Sequence, residues 1–253
     1  MDFKTTTRQL RTHARMLANL DGSFVYWMHF ANIYGELPGQ PVMLLAQART
    51  CAILSARMEK NQLRVAYREA GIYLAPDSEE MLTEYKNPVT GKRAKVEGSF
   101  REGPADYTRT ATKNEIIGNS EMDIKGTRSM GWTWHSSGSR VWMINQDSGI
   151  FAPANPAAEN VQAREPLSGQ ILQTWHADRR DLDNSKLTGV PTAKSYVVTL
   201  SAWPSWIGDP GERGGSFIRG MGAKLNAEQA AKSPDFIRLN RVHGDFFAAA
   251  RRA

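Results

Sequence analysis

Glu69 is the acidic residue with the most telling neighbours. It lies in a run where Leu63, Val65, Tyr67, Glu69, Gly71 and Tyr73 alternate with Arg64, Ala66, Arg68, Ala70 and Ile72. Alternation sends the two sets to opposite faces of a strand. A carboxylate sharing a face with tyrosines is desolvated, its pKa rises, and it can act as a base or acid near neutral pH. The opposite choice would put Arg68 inside and leave Glu69 a solvated charge; the alternation favours Glu69. Tyr67, on the same face, is a proton donor within reach. Arg49 alternates with Gln47, Cys51 and Ile53. Its planar fork could hold a carboxylate or phenolate ligand, or pair with Glu69. His176 follows Trp175 at a strand end and suits proton transfer. His29, set among aromatic residues, reads as a ligand contact.

Around these residues stand seven tryptophans, many for a chain of this size. Trp27, Trp132, Trp134 and Trp203, with Tyr73, are candidates to line a pocket for an aromatic ligand by stacking and burial. Filling a core is the plainer use of the same side chains. Trp132-Thr133-Trp134 places two indoles on one strand face.

Other chemistries lack their residues. The five histidines form neither HxxxH nor HxH, and no CxxC occurs, so no local metal-ligand spacing exists. GxGxxG, GxxxxGK[ST] and GxSxG are absent. The expectation is a site with no metal and no cofactor. A formal charge of +6 could suit nucleic acid, but the basic residues are scattered. They read as a solvated face that would also attract a carboxylate or phenolate. Cys51 is the only cysteine, so no internal disulfide can form; it reads as a buried structural thiol. No apolar run approaches the roughly 20 residues of a membrane span, and no apolar signal core follows the N-terminus.

The elements that must position these residues are mostly strands. Thr5 to Leu20 suits an amphipathic helix, with Leu10, His13, Leu17 and Leu20 at helical spacing. From Ser23 the period becomes two. Strands are expected at Phe24–Phe30, Val42–Leu54 (whose alanines also allow helix), Leu63–Leu74, Ile116–Lys125, Gly131–Ser136, Arg140–Asp147, Ile171–His176 and Lys194–Trp203. Asn87-Pro88-Val89-Thr90-Gly91 is a tight turn, with Gly91 supplying a positive φ. Pro153–Pro166 reads as loop or short helix, and Ser205–Gly222 as a long Gly-rich loop. The region 224–253 reads as terminal helices, with Asn226 or Ser233 as caps and Pro234 in a first turn. No βαβ rhythm appears. The fold expected is a single β-rich α+β domain over 1–253: an antiparallel meander closed into a calycin-like barrel, with helices at both termini.

Several pieces carry a resemblance. They are Leu20-Asp21-Gly22 before a Trp-bearing strand, Ile33-Tyr34-Gly35, the Arg-Glu-Ala run before Tyr73, the Asn87–Gly91 turn, and Trp203-Pro204 with its Gly-rich continuation. In these the chain resembles an uncharacterised bacterial family marked by an Asn-Pro-x-Thr-Gly hairpin. Many of its members carry a twin-arginine export signal, which this chain lacks, so a cytoplasmic branch is expected. In size, aromatic content and lack of a signal peptide the chain is also similar to sphingomonad lyases. Those enzymes release formaldehyde from lignin-derived aromatic dimers without a cofactor. That resemblance implies a carbon–carbon lyase with a base, a cation for a phenolate oxygen, and an acid; Glu69 or His176, Arg49 and Tyr67 could fill these roles. Two other readings fit the residues: a carrier of an aromatic or lipid-like ligand, and a metal-dependent hydrolase or isomerase. A small aromatic partner is expected in the first two, neither nucleic acid nor membrane, and a homo-oligomer is compatible with all three.

Overall fold

Thirteen strands take up most of the chain. In order they are β1 (Val25–Glu36), β2 (Met43–Glu59), β3 (Gln62–Leu74), β4 (Glu84–Lys86), β5 (Arg93–Lys95), β6 (Ser99–Glu102), β7 (Tyr107–Ala111), β8 (Ile116–Gly118), β9 (Ile124–Ser137), β10 (Arg140–Phe151), β11 (Leu167–Asp178), β12 (Thr192–Leu200) and β13 (Gly215–Leu225). The helices are α1 (Thr6–Leu17), α2 (Arg179–Asp183), α3 (Ala227–Lys232) and α4 (Pro234–Ala250). The computed structural model describes residues 3–103, 106–118, 124–151, 167–207 and 214–252. The segment 153–166, most of the 208–214 stretch, and the 119–123 part of the strand expected at Ile116–Lys125 lie outside them.

Ten strands follow one antiparallel path, β8-β7-β3-β2-β1-β13-β12-β11-β10-β9, and β6 pairs with β3 beside it. Each strand mostly pairs with its sequence neighbour, as in a meander. The exception closes the structure: β1 pairs on one side with β2 and on the other with β13, Tyr26 opposite Leu225 and Glu36 opposite Gly215. The result is a nearly closed antiparallel barrel with helices at both ends of the chain, as the alternation predicts. The path's two ends, β8 and β9, face each other across a seam. Side chains bridge it: the Arg109 guanidinium of β7 lies 5.4 Å from the Trp132 ring centroid of β9.

α1 plugs one end of the barrel. Thr5 caps it, its hydroxyl accepting from the Arg8 N–H. Leu10, Ala14 and Leu17 bury against the inward residues Trp27, Leu63, Val65, Val141, Met143 and Trp175. The Trp27 indole donates to the Leu17 carbonyl at 2.8 Å, and the Lys224 ammonium donates to the carbonyls of Arg15 (2.8 Å) and Ala18 (3.2 Å). α1 also spans the seam. The Thr6 hydroxyl donates to the Thr112 carbonyl after β7, while His13 lies 4.5 Å from Trp132 between ring centroids. His13 is 1% exposed, and its Nε2 is 3.3 Å from an Arg109 nitrogen. A guanidinium only donates, so Nε2 accepts and the ring is neutral. Burial, then the charges of Arg109 and Lys194, hold the ring well below its ordinary pKa.

The opposite end is closed by the β4–β5 hairpin and the 3-10 turn Ser205–Ile207. Leu82, Tyr85, Val96, Trp203 and Ile207 pack there on Ile33 and Leu45. Asn87 is buried, and its Oδ1 accepts from the N–H groups of Val89 (2.9 Å) and Thr90 (3.0 Å). Its Nδ2 donates to the Ile207 carbonyl at 3.2 Å, and Gly91 takes φ +69°. α4 covers the outside: Phe236, Leu239 and Phe247 pack on Tyr26, Cys51, Ile53, Ala70 and Ile72. Ser233 caps it with Pro234 at its start, and Asn226 makes a capping box on α3. Cys51 is fully buried beneath α4. No helix of the described residues is long and apolar enough to cross a membrane.

One expectation fails here. The stretch expected as a Gly-rich loop to Gly222 contains the closing strand β13. Its glycines are contact positions, not turn positions. A Cβ on Gly220 would collide with the Tyr196 ring, and one on Gly222 with the His29 ring.

Two outcomes follow. Gly91→Val forces a branched residue into a left-handed backbone and should cost about 1–3 kcal/mol, read as a lower urea midpoint, with the site intact in the folded fraction. The His13 ring stays neutral when folded, but unfolded it binds a proton below its ordinary pKa of 6.5. The unfolded chain then holds the extra proton, so stability falls as pH drops from 7 to 5. His13→Gln keeps an acceptor for Arg109 and should make the denaturation midpoint less dependent on pH over that window.

Candidate functional site

Four strands send polar side chains into the middle of the barrel. On β1, His29 follows Trp27 on the inward face, and its register partner on β2 is Thr50. On β3, Glu69 stands opposite Ala52, so Thr50 and Glu69 are diagonal neighbours. On β12, Lys194 and Tyr196 face inward opposite Gly222 and Gly220 of β13, which leave room for the Tyr196 and His29 rings.

These groups form a chain of hydrogen bonds. The Tyr67 hydroxyl donates to Glu69 Oε2, and the Thr50 hydroxyl donates to Oε1. His29 Nδ1 is 3.1 Å from Thr50 Oγ1 and 3.7 Å from Glu69 Oε1. Thr50 has one hydroxyl proton and gives it to Glu69. Its oxygen therefore accepts from His29, which places the imidazole proton on Nδ1 and the lone pair on Nε2. Burial alone would push the Glu69 carboxyl up. The hydrogen bond from His29, the charge that ring carries whenever it is protonated, the Thr50 hydroxyl and the Lys194 charge outweigh it and hold Glu69 below its ordinary value. Glu69 is therefore an anchored carboxylate that orients His29.

Aromatic rings wall this cluster. The Lys194 ammonium is 4.9 Å from the Trp175 centroid and 5.1 Å from that of Trp27, both cation–π distances. The Trp27 and His29 rings stack at 5.9 Å. Burial, then the Glu69 charge, keeps the Tyr196 hydroxyl protonated well above its usual range. Solvent reaches the cluster from one side: the Glu69 side chain keeps 14% of its surface, and Glu102, its register partner on β6, is exposed. Among the described residues β6 pairs only with β3, so its outer edge flanks this approach.

The other expected site residues lie elsewhere. Arg49 is on the outer face, because its alternation partners Cys51 and Ile53 pack under α4. It lies 3.9 Å from both Asp235 and Glu79 and over the Phe30 ring at 5.1 Å, and it neither meets Glu69 nor shares its side of the sheet. His176 also points outward, 6.4 Å from Trp142 between ring centroids, because its neighbour Trp175 takes the inward position. Glu69, Arg49 and His176 thus do not face one cavity, although Glu69 and Tyr67 do meet. Trp132 and Trp134 sit inside at the α1 end, Trp203 at the hairpin end. Tyr73 is also at the hairpin end, against Trp206 (4.6 Å) and Phe100 (5.2 Å), its hydroxyl pushed up to about 12 first by burial. Two grooves among the described residues carry none of these tryptophans in their lining. One, of about 520 Å³, lies on the outer face between Phe30, Arg49, Leu172, Arg219 and Met221.

Sequence reasoning missed Thr50, Lys194 and Tyr196. A signal existed for the last two: Lys194, Tyr196, Val198 and Leu200 alternate with Ser195, Val197 and Thr199. Thr50 sits between Ala48 and Ala52 and carries no mark of its own. Among the described residues no three His, Cys, Asp or Glu side chains gather where they could hold a metal. The chain matches no protein-family model and no curated protein, so its chemistry has to be argued from this geometry.

Proposed function

We propose that the protein is a cofactor-independent carbon–carbon lyase of the cytoplasm that acts inside its barrel on a phenolic, lignin-dimer-like compound and releases formaldehyde. The observation that carries this is the Glu69–Thr50–His29 chain beside Lys194, walled by Trp27, Trp175 and Tyr196. It combines an oriented base, a buried cation and aromatic walls. The substrate class comes from the resemblance to the sphingomonad lyases.

The substrate is a phenol with an oxygen leaving group on its benzylic carbon and a hydroxymethyl group on the next; elimination of that leaving group together with the phenol proton gives the quinone methide from which the cleavage proceeds. His29 Nε2 takes the hydroxyl proton. The oxygen pair forms the C=O of formaldehyde as the carbon–carbon bond breaks. That bond's electrons make a new C=C and return the ring to a phenolate. Lys194 stabilises the phenolate oxygen, and Glu69 holds the imidazolium that forms. The proton on His29 then leaves to solvent along the β6 side, so no external oxidant or reductant is required.

A carrier function is the second reading. The outer groove favours it: at about 520 Å³ it matches ligand sites, which span about 300–1,000 Å³. A carrier would return its ligand unchanged.

The test is formaldehyde release from a phenolic dimer bearing a γ-hydroxymethyl group. His29→Ala and Glu69→Gln should each cost about 10²–10⁴ in rate on folded protein, while His176→Ala stays near wild type. No formaldehyde, with the dimer recovered intact after binding, would refute the lyase and favour the carrier. Turnover should also survive exhaustive chelation; a rate that falls with EDTA and returns with a divalent metal would favour the hydrolase or isomerase reading.

A further inference from the structure

Among the described residues, Arg109 is a buried cation with no carboxylate partner. It is 6% exposed, and its contacts are His13 Nε2 at 3.3 Å and the faces of Trp132 (5.4 Å) and Tyr107 (5.6 Å). None of the described carboxylates pairs with it. A guanidinium carries five N–H donors, and His13 accepts from one nitrogen. A lone buried charge is costly unless something compensates it.

Two further donors at the same place lack acceptors. His13 accepts through Nε2, so its proton is on Nδ1, and that buried atom has no hydrogen-bond partner. Trp134 Nε1 is likewise buried without a partner. Both rings border Trp132, with centroids at 4.5 Å for His13 and 6.5 Å for Trp134. The Lys194 charge is close enough to help depress the His13 pKa and the Glu69 pKa alike. Buried polar atoms are nearly always satisfied. Here every unsatisfied group is a donor, and the net charge among them is positive.

We infer that Arg109, His13 Nδ1–H and Trp134 Nε1–H form an anion subsite at the α1 end of the barrel, and that it takes the carboxylate of a small aromatic acid. The free edge of a guanidinium fits a planar carboxylate with two parallel hydrogen bonds. Trp132 and Tyr107 supply apolar faces for the attached ring. This rests on the barrel interior being the ligand site. Lys194 then links the two ends: the carboxylate is held at Arg109 while the reacting carbon lies toward His29. The ligand class narrows from phenolic compounds in general to those that carry a carboxylate.

The probe is benzoate, with benzamide as its neutral isostere, measured by calorimetry and by the shift in thermal midpoint. Wild-type protein should bind benzoate about tenfold or more tightly than benzamide, as a charged hydrogen-bonded pair warrants. Arg109→Met removes the cation and should lose the benzoate shift in the protein that remains folded. Trp134→Phe keeps the ring, removes one donor and should weaken benzoate more than benzamide. Equal affinity for both probes, no benzoate binding to folded wild type, or an Arg109→Met protein that still prefers benzoate would each overturn the subsite. Turnover does not enter, so the subsite can stand if the lyase reading fails. His176→Ala, on the outer face, should bind benzoate as wild type does.

Discussion

The pairing of the first strand with the last is the constraint on which the rest depends. β1 is hydrogen-bonded along both edges, to β2 and to β13. This joins the two halves of the meander into one nearly closed sheet and gives it an inside. Without it, Trp27 and His29 would lie on an open face in water. Closure also explains where the glycines fall. Gly220 and Gly222 occupy inward positions on β13, where a side chain would displace the rings of Tyr196 and His29. The strand gives up packing of its own so that its neighbours' functional groups can cross the interior.

That interior is unusual in what it buries. The interior of a small barrel is filled by side chains or holds one small ligand, and apolar side chains would hold it together best. Instead, Glu69, His29, Thr50 and Lys194 share the centre with Trp27 and Trp175. Glu69 is satisfied by two hydroxyls, and this fixes the His29 tautomer. Such a network is tolerable only when each group is held, and then it specifies one arrangement of the core. The same low-dielectric surroundings that make the groups expensive to bury make their charges effective on a bound molecule. The two closed ends have different tasks. The hairpin end is apolar and pinned by Asn87, while the α1 end carries His13 and Arg109 across the seam.

The fold was more legible than the site. Period-two alternation marked most strands, and Thr5, Asn226, Ser233 and Pro234 marked the helix starts, because these are local effects. β13 was not legible: its glycines look like turn residues unless one knows which rings press on them. Alternation correctly put Tyr67 beside Glu69, since both are on one strand. It could not relate β3 to β2 or β11, because which face of each strand turns inward depends on closure. Arg49 was read inward although its alternation partners Cys51 and Ile53 belong under α4, whose docking place no local pattern reveals. Thr50 and Lys194 acquire their roles only from neighbours brought in by the sheet register.

Closure also sets a timetable. Tyr26 and Leu225 meet only after the strand that carries Leu225 has been made, and a ribosome adding about 5–20 residues per second needs roughly 10–40 s to produce the intervening stretch of about 200. During that interval β1 shows water an edge rich in aromatic side chains, open to pairing with any passing strand. So distant a pairing also makes the loop-closure entropy large and the final step slow. Nascent copies on one messenger, rather than mature molecules, are then where this barrel is most exposed to aggregation, and a chaperone that shields a single aromatic strand for half a minute would meet the need.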